Sequence, residues 1–206
     1  MTLLLGYQSQ DQCLIATDLF EKGSDRDSNR GIEKLKRTKD EKFYMAFTGR
    51  KINPLWVTEI YNHHTKEEFL NGDLGLAGKK ELKLSHPSME DTVMYLFQPP
   101  IEMLSVDIDI PQIYFGILNG DRPTPFSYLS TDQFIALGYD TRTAIRLLHE
   151  KFDEIFLETN NSKDTILSVM EKIILEMGEK YPDYIKGLAS YSIMQEKIRR
   201  ESYRAI

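Results

Sequence analysis

The chain has 206 residues, 41% of them hydrophobic and 28% charged, with a formal net charge of −6. That length and balance fit a single globular domain spanning 1–206 with a sizeable core. The acidic balance argues against nucleic acid or an anionic membrane as partner, the lone Cys13 excludes an internal disulfide, and no apolar run approaches the roughly 18 residues of a membrane helix.

Met1 to Gly6 lacks the basic flank and apolar length of a signal peptide, so residence in the reducing cytoplasm is the expectation. Thr2 to Tyr7 is apolar and β-rich, Gln8 to Asp11 is a polar turn, and Gln12 to Thr17 is apolar again, with Asp18 ending it. This pattern predicts a hairpin of two buried strands, in which Cys13 is a packed core thiol. A charged loop runs from Asp18 to Gly31. A second hairpin follows: Ile32 to Thr38, a turn at Lys39-Asp40-Glu41, then Lys42 to Thr48, closed by Gly49. The interrupted basic run from Lys34 to Lys39 reads as a solvated strand face.

Beyond Gly49 the period changes. Ile52, Leu55, Trp56, Ile60 and Tyr61 share a helix face. His63 to Lys66 and Asn71 to Lys80 are polar or Gly-rich and predict loop. Ser88 to Leu104 reads as a helix that Pro99-Pro100 kinks or ends. Gln112 to Leu118 is a strand, Asn119-Gly120-Asp121 a hairpin turn, and Phe126 to Leu129 and Gln133 to Leu137 further strands. Thr141 to Leu157 and Lys163 to Met177 are amphipathic helices, and Gly187 to Met194 is a last strand. Four strands, two helices, three strands, two helices and one strand bury all their apolar faces if two antiparallel sheets stack and a helix pair covers each outer face. The expected fold class is α+β, a four-layer αββα sandwich.

The chemistry-bearing residues gather around the first strands. A hydroxyl needs a base beside it to act as a nucleophile, and a threonine at a mature N-terminus carries its own base, the α-amine. That amine has a reference pKa of about 7.7–8.0, so part of it is neutral near pH 7. Met1 precedes the small Thr2, a pair suited to methionine removal. Asp18 ends the strand beside Thr2. Lys34 lies near the start of the third strand, where an ammonium would keep the amine neutral and stabilise a developing alkoxide, with a carboxylate orienting it. Gly49 ends the fourth strand, where its N–H can approach a substrate carbonyl. Taken singly, each has an ordinary reading: an edge-strand threonine, a loop cap, a solvated lysine, a turn glycine.

Taken together, Thr2-Leu3-Leu4-Leu5-Gly6, Ile15-Ala16-Thr17-Asp18, Ile32-Glu33-Lys34-Leu35 and Met45-Ala46-Phe47-Thr48-Gly49 resemble proteasome β-type subunits, the HslV peptidase included. Asp18 follows Thr2 by sixteen residues and Lys34 follows Asp18 by sixteen, the spacing of that family of N-terminal-threonine hydrolases. The resemblance covers nearly the whole chain. It implies the αββα fold, a threonine-type endopeptidase with Thr2 as nucleophile after Met1 removal, and Asp18, Lys34 and Gly49 in the roles just described. It also implies peptide or unfolded-protein substrates, a ring-forming homo-oligomer and an ATPase unfoldase partner.

The distal half departs from the pattern. The family's Gly-Ser-Gly turn is Gly138-Tyr139-Asp140 here, so Tyr139 stands where a serine assists the amine, with Thr141 and Thr143 nearby. Asp183 and Gly187 match the Asp and Gly before the last strand, with Lys186 in place of a serine. Arg50 follows Gly49 and reads as a surface charge. Glu21, Ile32, Lys36 and Phe47 are pocket candidates of mixed character that predict no substrate side chain. His63, His64, His86 and His149 have no metal-ligand spacing, so neither metal nor cofactor is expected. Two further readings stand beside the peptidase: a catalytically inactive subunit of a proteasome-like complex, and an N-terminal-nucleophile amidase acting on a small molecule.

Overall fold

A computed structural model of the chain describes residues 2–19, 35–48, 65–71, 101–119, 122–123, 127–158, 163–195 and 197–204. The predicted helix face between Ile52 and Tyr61, most of the Ser88 to Leu104 segment and the turn at Gly120-Asp121 lie outside them.

The first hairpin forms as the sequence predicts. Strand β1 (Leu3–Gln8) pairs antiparallel with β2 (Gln12–Thr17). The second hairpin joins β3 (Lys36–Arg37) to β4 (Phe43–Thr48). A short helix, α1 (Lys66–Asn71), lies between the two polar stretches read as loop and shares its end residues with them. Thr65 and Glu68 start it with a reciprocal cap: the Thr65 N–H donates to Glu68 Oε2 at 2.7 Å and the Glu68 N–H to Thr65 Oγ1 at 3.4 Å.

The predicted helix running to Leu104 is corrected, because Ile101–Asp107 is strand β5. Apolar residues at Ile101, Met103, Leu104 and Val106 suit either period. The double proline before them and the pairing available on both sides decide for strand. Strands β6 (Gln112–Asn119), β7 (Arg122–Pro123), β8 (Ser127–Tyr128) and β9 (Gln133–Gly138) follow. Helices α2 (Thr141–Glu158) and α3 (Lys163–Lys180) match the amphipathic segments, and β10 (Leu188–Met194) matches the last predicted strand. One further strand, β11 (Lys197–Arg204), went unpredicted. Its basic residues Lys197, Arg199, Arg200 and Arg204, all exposed, mask the period of two.

The architecture is mixed α/β with two antiparallel sheets. The first runs β11-β10-β2-β1-β9 and the second β3-β4-β5-β6-β7, with β8 also pairing to β6. Alternation along β1 divides the core in two. Leu3, Leu5 and Tyr7 pack with Leu148 of α2 and Met170, Ile173 and Met177 of α3. Leu4, with Cys13 and Ile15 of β2, packs instead against Ala46, Leu104, Val106 and Ile113 of the second sheet. The described residues thus form three layers: a helix pair, a sheet and a second sheet. At Gly6 the sheets come so close that a Cβ would stand 2.7 Å from the Leu104 side chain.

Cys13 lies in the inter-sheet core, fully buried, and burial pushes its thiol up to about 12. A thiol-reactive aromatic disulfide added at pH 8 is therefore expected to leave the native protein unmodified and to react with one equivalent after unfolding in urea. Stoichiometric reaction of the folded chain would contradict this packing.

Candidate active site

Strand direction brings six strand ends to one end of the two sheets. In the first sheet these are the start of β1, the end of β2, the end of β9 and the start of β10. In the second they are the end of β4 and the adjacent start of β5. Thr2 and Asp18, which the sequence singles out, meet here.

Thr2 is buried, 8% exposed, and Asp18 is fully buried. Leu3 turns both of its backbone groups toward Asp18. Its N–H donates to Asp18 Oδ1 at 3.0 Å, and its carbonyl accepts from the Asp18 N–H at 3.3 Å. A side-chain carboxyl oxygen thus takes the place of the next strand carbonyl, one peptide from Thr2. The following residue, Leu19, donates its N–H to the Lys186 carbonyl at 2.8 Å, tying the end of β2 to the segment before β10.

The Thr2 carbonyl points the other way, toward β9. It accepts the Tyr139 N–H at 2.9 Å and the Thr48 hydroxyl at 3.2 Å. Gly138 makes this approach possible. Its φ is +103°, and a Cβ there would stand 1.9 Å from the Thr2 carbonyl oxygen. The Gly138 N–H donates to Glu102 Oε2 at 2.9 Å.

Tyr139 reaches Thr2 through its backbone. Its ring stacks on Tyr184, centroids 4.7 Å apart at 16°, and meets Tyr181 edge-on at 5.1 Å. Lost hydration, with the neighbouring phenols and Asp140, holds the Tyr139 phenol above its ordinary value, so it is neutral across the physiological range. Asp183 is exposed in the turn between α3 and β10, three residues before Lys186, whose side chain is also exposed. Lys34 and Gly49 lie outside the described residues, as do Glu21, Ile32, Arg50, His63, His64 and His86. Lys36 is half-buried on β3, and His149 is exposed on α2. Among the described residues no group of three or more His, Cys, Asp or Glu is placed to hold a metal ion, and no helix is long and apolar enough to cross a membrane.

Asp140 starts α2. Its side chain accepts the Thr143 N–H at 3.4 Å and the Tyr181 hydroxyl, linking the two helices beside the site. The Tyr181 hydroxyl first, then Thr143, holds its carboxyl below the usual range. With the folded-state value below the unfolded one of about 3.9, the contribution is fully present above that unfolded value and lost as pH falls through the folded one. Asp140→Ala is expected to cost about 1 kcal/mol at pH 7 and less at pH 3, measured by urea unfolding at both. An equal cost at both would remove the carboxylate from the account.

Thr48 and Glu102 were not candidates in the sequence. Thr48 carries a signal only through adjacency to Gly49, and Glu102 sat inside a segment read as helix. A comparison of the sequence with protein-family models and another with curated proteins found no match.

Proposed function

We propose that the protein is a threonine-type endopeptidase resembling proteasome β-type subunits, with Thr2 as nucleophile once Met1 is removed. The observation that carries this reading is the meeting of Thr2, the buried Asp18 carboxylate and the Gly138-Tyr139 turn at one end of two stacked antiparallel sheets. The four-layer αββα sandwich is part of the proposal. Phe43 and Met45 alternate with the inter-sheet residues Tyr44 and Ala46, so they sit on the far face of the second sheet, yet both are completely buried. That burial supports a covering layer there.

In this mechanism Thr2 Oγ attacks the scissile carbonyl and its own α-amine takes the proton. Lys34 lowers the pKa of the hydroxyl, Asp18 orients Lys34, and the Gly49 N–H stabilises the tetrahedral oxyanion. The tetrahedral intermediate collapses by breaking the C–N bond, the leaving amine takes the proton from the α-ammonium, and water then hydrolyses the acyl-enzyme ester to free the acid and Thr2. Tyr139 and Asp183 occupy the positions of the relay half. The substrates are peptides or unfolded proteins, and assembly is a homo-oligomeric ring in the cytoplasm served by an ATPase unfoldase. Neither nucleic acid nor membrane is a partner.

The test joins mass and chemistry. The intact mass of the protein from its host is expected to lack one methionine, and an electrophile selective for N-terminal threonine is expected to add once, at Thr2. Retention of Met1 in the assembled native protein would exclude the mechanism, because the amine would be locked in a peptide bond.

One observation favours a second reading, that of a non-catalytic subunit in such a complex. The residue standing where the family has its assisting serine is built into an aromatic cluster with Tyr181 and Tyr184. An assembled but unreactive native protein would decide for that reading.

A further inference from the structure

We propose that Glu102 and Thr48 form a clamp from the second sheet that positions the nucleophile, with Glu102 as a positioning residue for Thr2; this rests on the peptidase reading above. The argument begins with strand pairing. In an antiparallel ladder each residue turns its N–H and C=O to the same side, and successive residues alternate sides. Leu3 turns toward Asp18, just past the end of β2, so the pair Leu3↔Gly138 exchanges no backbone hydrogen bond. The Gly138 N–H therefore points away from β1. Among the described residues β9 is the outer strand of its sheet, so no further strand takes up that donor.

Glu102 supplies the acceptor from across the sandwich, at 2.9 Å. It pairs with Thr48 across β4 and β5, and both alternate in phase with inter-sheet residues, Glu102 with Leu104 and Thr48 with Ala46. The two neighbouring side chains thus reach the same way. Thr48 takes the Thr2 carbonyl, and Glu102 takes the N–H of the glycine packed against that carbonyl. Thr48 directly precedes Gly49, the proposed oxyanion donor, in the sequence. The Glu102 contact is a side-chain oxygen accepting a backbone N–H at a half-buried strand end. It touches no substrate and acts by fixing where Thr2 sits.

A positioning role of this kind is read in kcat more than in KM, since misplacement by an ångström costs about a hundredfold in rate. Reach separates it from charge. Glutamine keeps an acceptor oxygen at the same distance, whereas aspartate keeps the charge but is one methylene short. With the Met1-processed full chain and a fluorogenic peptide substrate, Glu102→Gln is expected to keep kcat within about threefold, and Glu102→Asp and Glu102→Ala to lose about ten- to a hundredfold, with KM changed less than about threefold in all three. If Glu102→Ala does not fold, the Gln and Asp pair carries the comparison. Activity following charge, with Asp near wild type and Gln as low as Ala, overturns the clamp. So does kcat within twofold of wild type in the Asp and Ala variants. A processed wild-type chain that neither hydrolyses peptides nor takes the threonine-directed label overturns the peptidase reading, and the positioning role with it. An active wild type with indifferent Glu102 variants overturns the clamp alone.

Discussion

Thr2→Ala is expected to abolish peptide hydrolysis, a loss of about three orders of magnitude or more, the scale seen when the nucleophile of a hydrolase is removed. The structure gives a reason to expect the loss without collapse. The Tyr139 N–H, just past β9, and the Thr48 hydroxyl of β4 hold residue 2 by its carbonyl. Alanine keeps that carbonyl and the same backbone. Stability is expected to change by about 1–2 kcal/mol, and a variant that melts as a folded chain lets the loss of rate and of covalent labelling be attributed to the missing hydroxyl. The measurement is hydrolysis of a peptide panel by wild type and variant, each checked by thermal melting. Full activity in a folded Thr2→Ala chain would end the proposed mechanism.

The largest expected effect on stability is at Gly138. An alanine there would place its Cβ 1.9 Å from the Thr2 carbonyl oxygen and 2.9 Å from Thr48 Oγ1, at a φ of +103°. The backbone conformation alone costs roughly 1–3 kcal/mol for an L side chain. Relieving the overlap displaces the Thr2 carbonyl from two donors, each worth about 0.5–1.5 kcal/mol. Gly138→Ala is therefore expected to destabilise by about 3–5 kcal/mol in urea unfolding. Gly178 is the control. Within α3 the nearest atom to its added Cβ is 3.3 Å away, and Gly178→Ala is expected to stay within about 1 kcal/mol of wild type. Equal effects at the two glycines would mean that β9 does not approach Thr2 as described.

Much of the fold was legible because the decisive patterns are local. The hairpin of β1 and β2 is written in two apolar runs around a polar turn, and α2 and α3 in long amphipathic repeats. Where the reading failed, partners outside the segment decided. Ile101 to Val106 satisfies a helical or an extended period, and pairing to β4 and β6 selects the second. Lys197 to Arg204 carried no reading, and β10 supplies the ladder that makes it a strand. The candidate site divides in the same way. Thr2 and Asp18 were legible from their spacing, because it equals one trip up β1 and back down β2. Glu102 was not, since its part depends on an amide that strand order leaves facing outward on another sheet. A glutamate among apolar residues states nothing of that in sequence.

The basic strand β11 has a consequence for how copies of the chain meet. It is the outer strand of the first sheet among the described residues, and an outer strand is a template on which a like strand can dock. Two copies joining β11 to β11 in full antiparallel register would set Lys197 of one against Arg204 of the other at both ends of the ladder. Like charges facing each other across a ladder repel. That repulsion weakens as salt shortens the screening length. The basic side chains of β11 thus oppose its pairing with a second copy, and least so at high salt.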